Sequence, residues 1–383
     1  MTDPGKTPVF SAIDYTHMAR ALQLAERGLY STPPNPSVGC VLLDAAGKVV
    51  GEGWHRRAGE PHAEVLALRE SGDKARGGTA YVTLEPCSHH GRTPPCVDTV
   101  IAAGLRRVVV AMGDPNPRVA GEGLRRLRAA GIEASAGLLE RQALELNRGF
   151  VWRMTRARPW VTIKLGTSLD GRTALADGSS KWITGPAARA DVQRLRARAS
   201  AVLTGIGTVL ADDPALTIRE PGIETHGRQP LRVVFDARGQ LEPAARVASD
   251  GRPTLLMTSQ AGAAHLQARG VHTEGAFVIE SLPVDTHGRL DPVAALRRLA
   301  ERECNEVLVE AGPRLAGSFL AAGLADELVI YVAPTVLGAT AKPAFELPQP
   351  LRSLAERRAY SFHDMRRIGD DVRLTLRPAE VAS

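Results

Sequence analysis

The residues best suited to chemistry lie between Pro61 and Cys96. The stretch opens Pro61-His62-Ala63-Glu64, runs through the apolar Val65-Leu66-Ala67-Leu68 and the strand-like Thr79-Ala80-Tyr81-Val82-Thr83-Leu84, and reaches Glu85-Pro86-Cys87 and then Pro94-Pro95-Cys96. One imidazole and two thiols fill three positions of a tetrahedral zinc and leave the fourth for a water whose pKa the metal lowers towards neutrality. Glu64, two residues beyond the first ligand, is free to shuttle that water's proton. Two other readings stand beside this one. Cys87 and Cys96 could be plain buried thiols, or the zinc could be purely structural with Cys40 or His89 as a fourth ligand, which would leave Glu64 without a task.

The elements that position these groups follow from the same stretch. Pro61 suits the first turn of a helix carrying His62 and Glu64, and Pro94-Pro95 do the same for a helix through Cys96, Val97, Val100 and Ile101 that stops at Gly104. Unpaired N–H groups and the dipole at helix N-termini favour thiolate over thiol. The metal would therefore join two helices across the end of a strand.

The His-x-Glu followed by Pro-Cys and a second Cys resembles the zinc-dependent nucleoside and nucleobase deaminases. Eight residues, Ser88 to Pro95, separate the two cysteines here, in place of the family's usual two. Together with Pro34-Asn35-Pro36-Ser37-Val38-Gly39 upstream, that spacing is similar to the deaminase half of the bifunctional riboflavin-pathway deaminase/reductases. The resemblance implies a cytidine-deaminase-like fold, with His62, Cys87 and Cys96 as zinc ligands, Glu64 as the catalytic acid/base and Asn35 on the substrate. His55, at the end of Gly51-Glu52-Gly53-Trp54-His55, is expected at the pocket mouth as a further substrate contact.

Around this centre, apolar residues with helical period run over 13–29, and 38–43 with 49–53 read as a hairpin about Asp44-Ala45-Ala46-Gly47. A strand over 107–112, a helix over 123–130 and a strand over 132–136 follow, an alternation that argues for a layered α/β sheet. A basic helical stretch, 138–158, ends at Pro159 and is expected to link a first domain, 1–150, to a second, 158–383.

The second half is again α/β. Trp160 to Leu165 reads as a strand entering the small-residue turn Gly166 to Arg172, followed by a helix over 186–199 and a strand over 201–204. Glu306-Val307-Leu308-Val309-Glu310 is a buried-looking strand entering the turn Ala311-Gly312-Pro313-Arg314-Leu315-Ala316-Gly317-Ser318. Such a strand–turn–helix offers free N–H groups to a phosphate, but it lacks the three spaced glycines of the dinucleotide fingerprint. Physical reading alone gives a ligand-binding α/β domain.

The segments Lys164 to Arg172, Trp182-Ile183-Thr184, Thr208 to Pro214 and Glu310 to Ser318 resemble the reductase half of the same family, which implies a dihydrofolate-reductase-like fold and NADPH as cofactor. Carried over by position, Gly166, Trp182, Thr208, Asp212 and Gly312, Pro313, Arg314, Leu315, Ala316, Gly317 and Ser318 would contact NADPH. Lys164, Ser180, Arg196, Leu216, Arg219 and Glu310 would surround the substrate, with the two arginines on its phosphate. The implied sequence is hydrolytic deamination of a diaminopyrimidinone carrying a ribosylamino 5′-phosphate, then hydride transfer from NADPH that turns ribosylamino into ribitylamino.

Composition fits this reading. A hydrophobic share of 44% with 23% charged residues describes an ordinary globular chain. No signal peptide or membrane-spanning run is legible, and four cysteines without a framework spacing fit a reducing compartment, so a cytoplasmic enzyme is expected. The net charge of +6 could suit nucleic acid, but its arginines are scattered over amphipathic helices and aromatics make up only 4%, leaving little stacking surface. The expected partners are a small phosphorylated pyrimidine and possible further copies of the chain, with no nucleic acid and no membrane. Two rivals remain: a tRNA-type zinc deaminase with an accessory C-terminal domain, and a non-catalytic protein whose zinc staples helices.

Overall fold

The computed structural model describes residues 9–88, 95–117 and 120–379; His89, proposed above as a possible ligand, lies outside them. The chain divides into two compact units, Met1–Ala157 and Arg158–Ser383.

In the first unit, β1 (Gly39–Leu43), β2 (Val49–Trp54), β3 (Thr79–Leu84), β4 (Arg107–Met112) and β5 (Glu133–Ala136) form one sheet in the order β2-β1-β3-β4-β5. The β1 pairings are antiparallel, and β3, β4 and β5 run parallel. β1 and β3 are buried along their whole length, as expected of central strands covered on both faces. The covering helices are α1 (Ala12–Glu26), α2 (Ala63–Ser71), α3 (Cys96–Ala102), α4 (Glu122–Ala129), α5 (Glu140–Leu146) and α6 (Arg148–Arg156).

Glycine sets the closest helix–sheet approach. A Cβ on Gly51 or Gly53 of β2 would come within 2.3 Å of the Ala67 or Ala63 carbonyl oxygen, so only glycine lets α2 lie on the strand. This seats the helix that begins beside His62.

Two boundaries differ from expectation. Pro61 and Pro95 stand just outside the helices: His62 is the N-cap of α2 and Pro95 the N-cap of α3, so Cys96 is the first helical residue. The basic stretch 138–158 is two helices, because Asn147 leaves the α-helical backbone between them. Its buried side-chain amide accepts the Ser37 N–H at 2.8 Å and donates to the Ser37 carbonyl at 3.0 Å, a pairing a continuous helix would forgo.

The second unit is built on β6 (Trp160–Ser168), β7 (Arg172–Ala174), β8 (Ala201–Gly205), β9 (Leu231–Phe235), β10 (Thr254–Thr258), β11 (Phe277–Ser281), β12 (Glu306–Val309), β13 (Glu327–Ala333), β14 (Lys342–Pro343), β15 (Tyr360–Ile368) and β16 (Asp371–Pro378). Nine of them form a sheet in the order β11-β10-β9-β8-β12-β6-β13-β16-β15, parallel from β11 to β13 and finished by an antiparallel hairpin; β7 and β14 pair separately. Its helices are α7 (Pro186–Arg198), α8 (Ile206–Asp212), α9 (Arg246–Ser249), α10 (Gln260–Ala268), α11 (Pro292–Glu301) and α12 (Pro313–Ala321). Both units are thus layered α/β sheets. Among the described residues, no helix is long and apolar enough to cross a membrane.

Candidate functional site

In the first unit, the start of α2, the end of β3 and the start of α3 converge. The ligand atoms of His62, Cys87 and Cys96 all lie within 4.8 Å of one another. His62 Nδ1 is 3.1 Å from Cys96 Sγ and 3.6 Å from Cys87 Sγ. The backbone holds the two cysteines together, since Cys96 N–H donates to Cys87 Sγ at 3.3 Å and Val97 N–H to the Cys87 carbonyl at 3.2 Å. The Cys87 thiol is pulled down, first by the Cys96 side chain, with burial opposing and His62 assisting. The cluster's one imidazole nitrogen and two thiols are a donor set that suits zinc.

Glu64 sits in the first turn of α2, 4% exposed. Burial is the main cause that pushes its carboxyl up to about 7, with the neighbouring Cys87 adding to the rise and His62 opposing it. A carboxyl poised near neutrality can both take and return a proton. Asn35 Nδ2 lies 3.0 Å from His55 Nε2, and the His55 ring stands edge-on to His62 with centroids 5.1 Å apart. His55 is buried, 2% exposed, and so belongs to the wall behind Asn35 and His62, not to an open mouth; burial lowers its pKa and favours the neutral ring.

Glu85, quoted above without a role, is part of the same construction. Its buried carboxylate accepts N–H groups from Asp114 (3.1 Å), Gly121 (3.0 Å) and Leu124 (3.1 Å), tying the loop after β4 and the start of α4 to the strand end that delivers Cys87. A carboxylate directly before Pro-Cys, at the end of an otherwise buried strand, was the available signal.

In the second unit, the groups gather at the C-terminal ends of β6, β8 and β12, the edge where open parallel sheets bind ligands. A Cβ on Gly205 would touch Leu315 at 3.4 Å, which makes the turns into α8 and α12 neighbours. Lys181 pairs with Asp212 at 3.0 Å and a Cβ on Gly166 would meet Thr184 at 3.2 Å, so the loop bearing Ser180 and Trp182 lies against β6 and α8. Trp182 is 70% exposed with the Arg189 guanidinium over its ring. Thr208 lies in α8, and Gly312 caps α12 with nothing within 4 Å of where a Cβ would be.

Lys164 and Glu310 face the same point. Burial lowers the Lys164 pKa, with Glu310 opposing, while Glu310, which burial alone would raise, is held below its ordinary range by Arg196, Lys164 and Arg219.

Several positions differ from expectation. Arg196 is buried, and its guanidinium is taken up by Glu310 and by the Thr217 carbonyl, which makes it a structural partner of Glu310 ahead of a phosphate ligand. Arg219 is exposed. Leu216 is buried in an apolar cluster, with left-handed backbone (φ 51). Ala316 and Gly317 are buried, and a Cβ on Gly317 would lie 2.1 Å from the Glu346 carbonyl, so these two serve packing of the 344–347 segment. Ser318 Oγ donates to the Arg314 carbonyl at 3.0 Å. The 312–315 end of that turn is its more exposed part.

With this geometry in hand, comparison with known proteins gives a consistent result. Residues 11–112 match the cytidine and deoxycytidylate deaminase zinc-binding region, and residues 159–374 match the RibD C-terminal domain. Riboflavin biosynthesis protein RibD of Escherichia coli K12 is 49% identical over 95% of this chain and 99% of its own length. The protein of the same name from Haemophilus influenzae is 45% identical over 97% and 99%. Among solved structures, Acinetobacter baumannii RibD superposes with a TM-score of 0.87 at 42% identity, covering 96% of this chain and 99% of its own. A Thermotoga maritima diaminohydroxyphosphoribosylaminopyrimidine deaminase/5-amino-6-(5-phosphoribosylamino)uracil reductase does so at 0.83 and 34%, with the same coverage.

Proposed function

The chain belongs to the RibD family of bifunctional deaminase/reductases of riboflavin biosynthesis, and on that premise we propose that its first unit deaminates a phosphoribosylaminopyrimidine and its second reduces the ribosyl chain of the product. The observation that carries the first step is the His62–Cys87–Cys96 cluster, its Cys96 buried, with the buried Glu64 beside it. The three residues would hold zinc, which when bound supplies a water acidified towards neutrality. Glu64 takes one of the water's two protons at its carboxylate and gives it to a ring nitrogen, then takes the other and gives it to the amino group that departs as ammonia, the to-and-fro its raised pKa suits. Asn35, braced by His55, orients the pyrimidine.

For the second step, Gly166, Trp182, Thr208, Asp212 and the 312–315 turn would hold NADPH, whose nicotinamide supplies the hydride. Lys164 and Glu310 would face the sugar, with Ser180 and Leu216 completing the wall. Arg219, exposed and charged, is the better candidate for the substrate phosphate. The setting proposed is cytoplasmic. A tRNA-type deaminase is not favoured, since it gives residues 159–374 no task.

Replacing Glu64 by Ala tests the reading: zinc content should stay at the wild-type level while ammonia release falls by a factor of about 100 or more. Near-wild-type deamination would remove this role from Glu64.

A further inference from the structure

A short Cys-x-x-Cys loop fixes the separation of its two thiols covalently. An eight-residue spacer does not, because the entropy of closing a loop rises with its length. Something outside the spacer must hold Cys87 and Cys96 at ligand distance. The hydrogen bonds from Cys96 and Val97 N–H to Cys87 act from within. A second brace acts from α4. The Arg126 guanidinium donates through Nη1 to the carbonyl of Ser88 at 3.2 Å, one residue after Cys87, and through Nη2 to the carboxylate of Asp98, two residues after Cys96. One planar fork therefore spans both arms of the spacer.

The brace is itself anchored. α4 is pinned at its start by Glu85, which accepts the Gly121 and Leu124 N–H groups and lies two residues before Cys87. Glu85 and Arg126 thus grip the Cys87 arm from both sides, and Arg126 adds the Cys96 helix. As a simple ion pair the Arg126–Asp98 contact would count for little, since the two side chains are 32% and 46% exposed. Its consequence is geometric.

We infer that Arg126 is a positioning residue for the zinc centre: its guanidinium joins the Ser88 carbonyl to Asp98 and holds the two thiols at ligand separation across the long spacer. This rests on the zinc reading of His62, Cys87 and Cys96. Residues that orient metal ligands typically change metal affinity by about 10- to 100-fold when removed. A lysine keeps the charge but cannot fork between two acceptors.

The test uses the zinc-loaded full chain and measures the rate of zinc transfer to a chelating dye, with the thiolate-to-metal absorption of the cobalt-substituted protein as a second readout. Arg126→Ala should release zinc about tenfold faster or more, with a shifted cobalt spectrum. Arg126→Lys should not restore either property. Arg125→Ala, whose guanidinium pairs among the described residues with Glu122 on the outer face of α4, should behave as wild type. Wild-type release from Arg126→Ala, or full rescue by lysine, would overturn the inference alone. A wild-type chain that takes up no zinc would overturn the zinc reading and this inference with it.

Discussion

Arg196 and Glu310 meet in the second unit as a two-pronged ion pair, Nε to Oε1 at 2.6 Å and Nη2 to Oε2 at 3.0 Å, with Nη1 donating to the Thr217 carbonyl at 2.9 Å. Both side chains are largely buried, at 9% and 13% exposure. The pair keeps a carboxylate charged beside Lys164, where hydride is proposed to arrive.

Cutting one partner leaves a buried charge alone. Glu310→Ala should destabilise the chain by about 3 kcal/mol in urea unfolding and abolish NADPH oxidation on the deaminated substrate. Adding Arg196→Met should recover most of the stability and none of the turnover. Recovery of turnover in the double variant would reduce the pair to scaffolding.

A second buried network makes the first unit acid-sensitive. Burial alone would raise the Asp14 carboxyl, but Arg107 at 2.6 Å, the Ser11 N–H and the Tyr81 hydroxyl at 2.7 Å hold it well below the usual carboxylate range. A depressed native pKa means the unfolded chain binds the proton first, so the stabilisation is complete above the unfolded value of about 4 and is lost as pH falls towards the native one. Unfolding followed from pH 7 to pH 3 should show wild-type stability falling faster than that of Asp14→Asn.

The close seat of α2 gives a third expectation. Gly53→Ala would place a methyl 2.3 Å from the Ala63 carbonyl oxygen and 2.7 Å from the Ala67 nitrogen. Backbone cannot swing aside as a side chain can, so α2 must shift, at a cost of about 1–3 kcal/mol. Because Glu64 rides on the first turn of α2, ammonia release should drop while NADPH oxidation on deaminated substrate is unchanged.

Much of this was legible from residue types alone. Buried strand segments such as 108–112 stand out as unbroken apolar runs, and His62, Glu64, Cys87 and Cys96 announce their chemistry by type and spacing. The rest depends on contacts between residues far apart in the chain. Arg196 reads as a surface arginine on an amphipathic helix until Glu310, 114 residues away, is placed against it. Gly317 reads as part of a phosphate-binding turn until the Glu346 backbone lies where its side chain would be. Asn147 breaks a helical pattern because Ser37, 110 residues earlier, offers it a better pairing. Periodicity carries no information about such partners.

The most direct test of the central claim supplies the zinc-loaded chain with the undeaminated phosphoribosylaminopyrimidine and NADPH, and assays ammonia and NADPH oxidation in the same tube. Equal amounts of ammonia and oxidised cofactor are expected, with Glu64→Ala losing both on this substrate yet still oxidising NADPH on the deaminated one. Ammonia without NADPH oxidation would contradict the reductase site, and NADPH oxidation by Glu64→Ala on the undeaminated substrate would contradict the proposed order of steps.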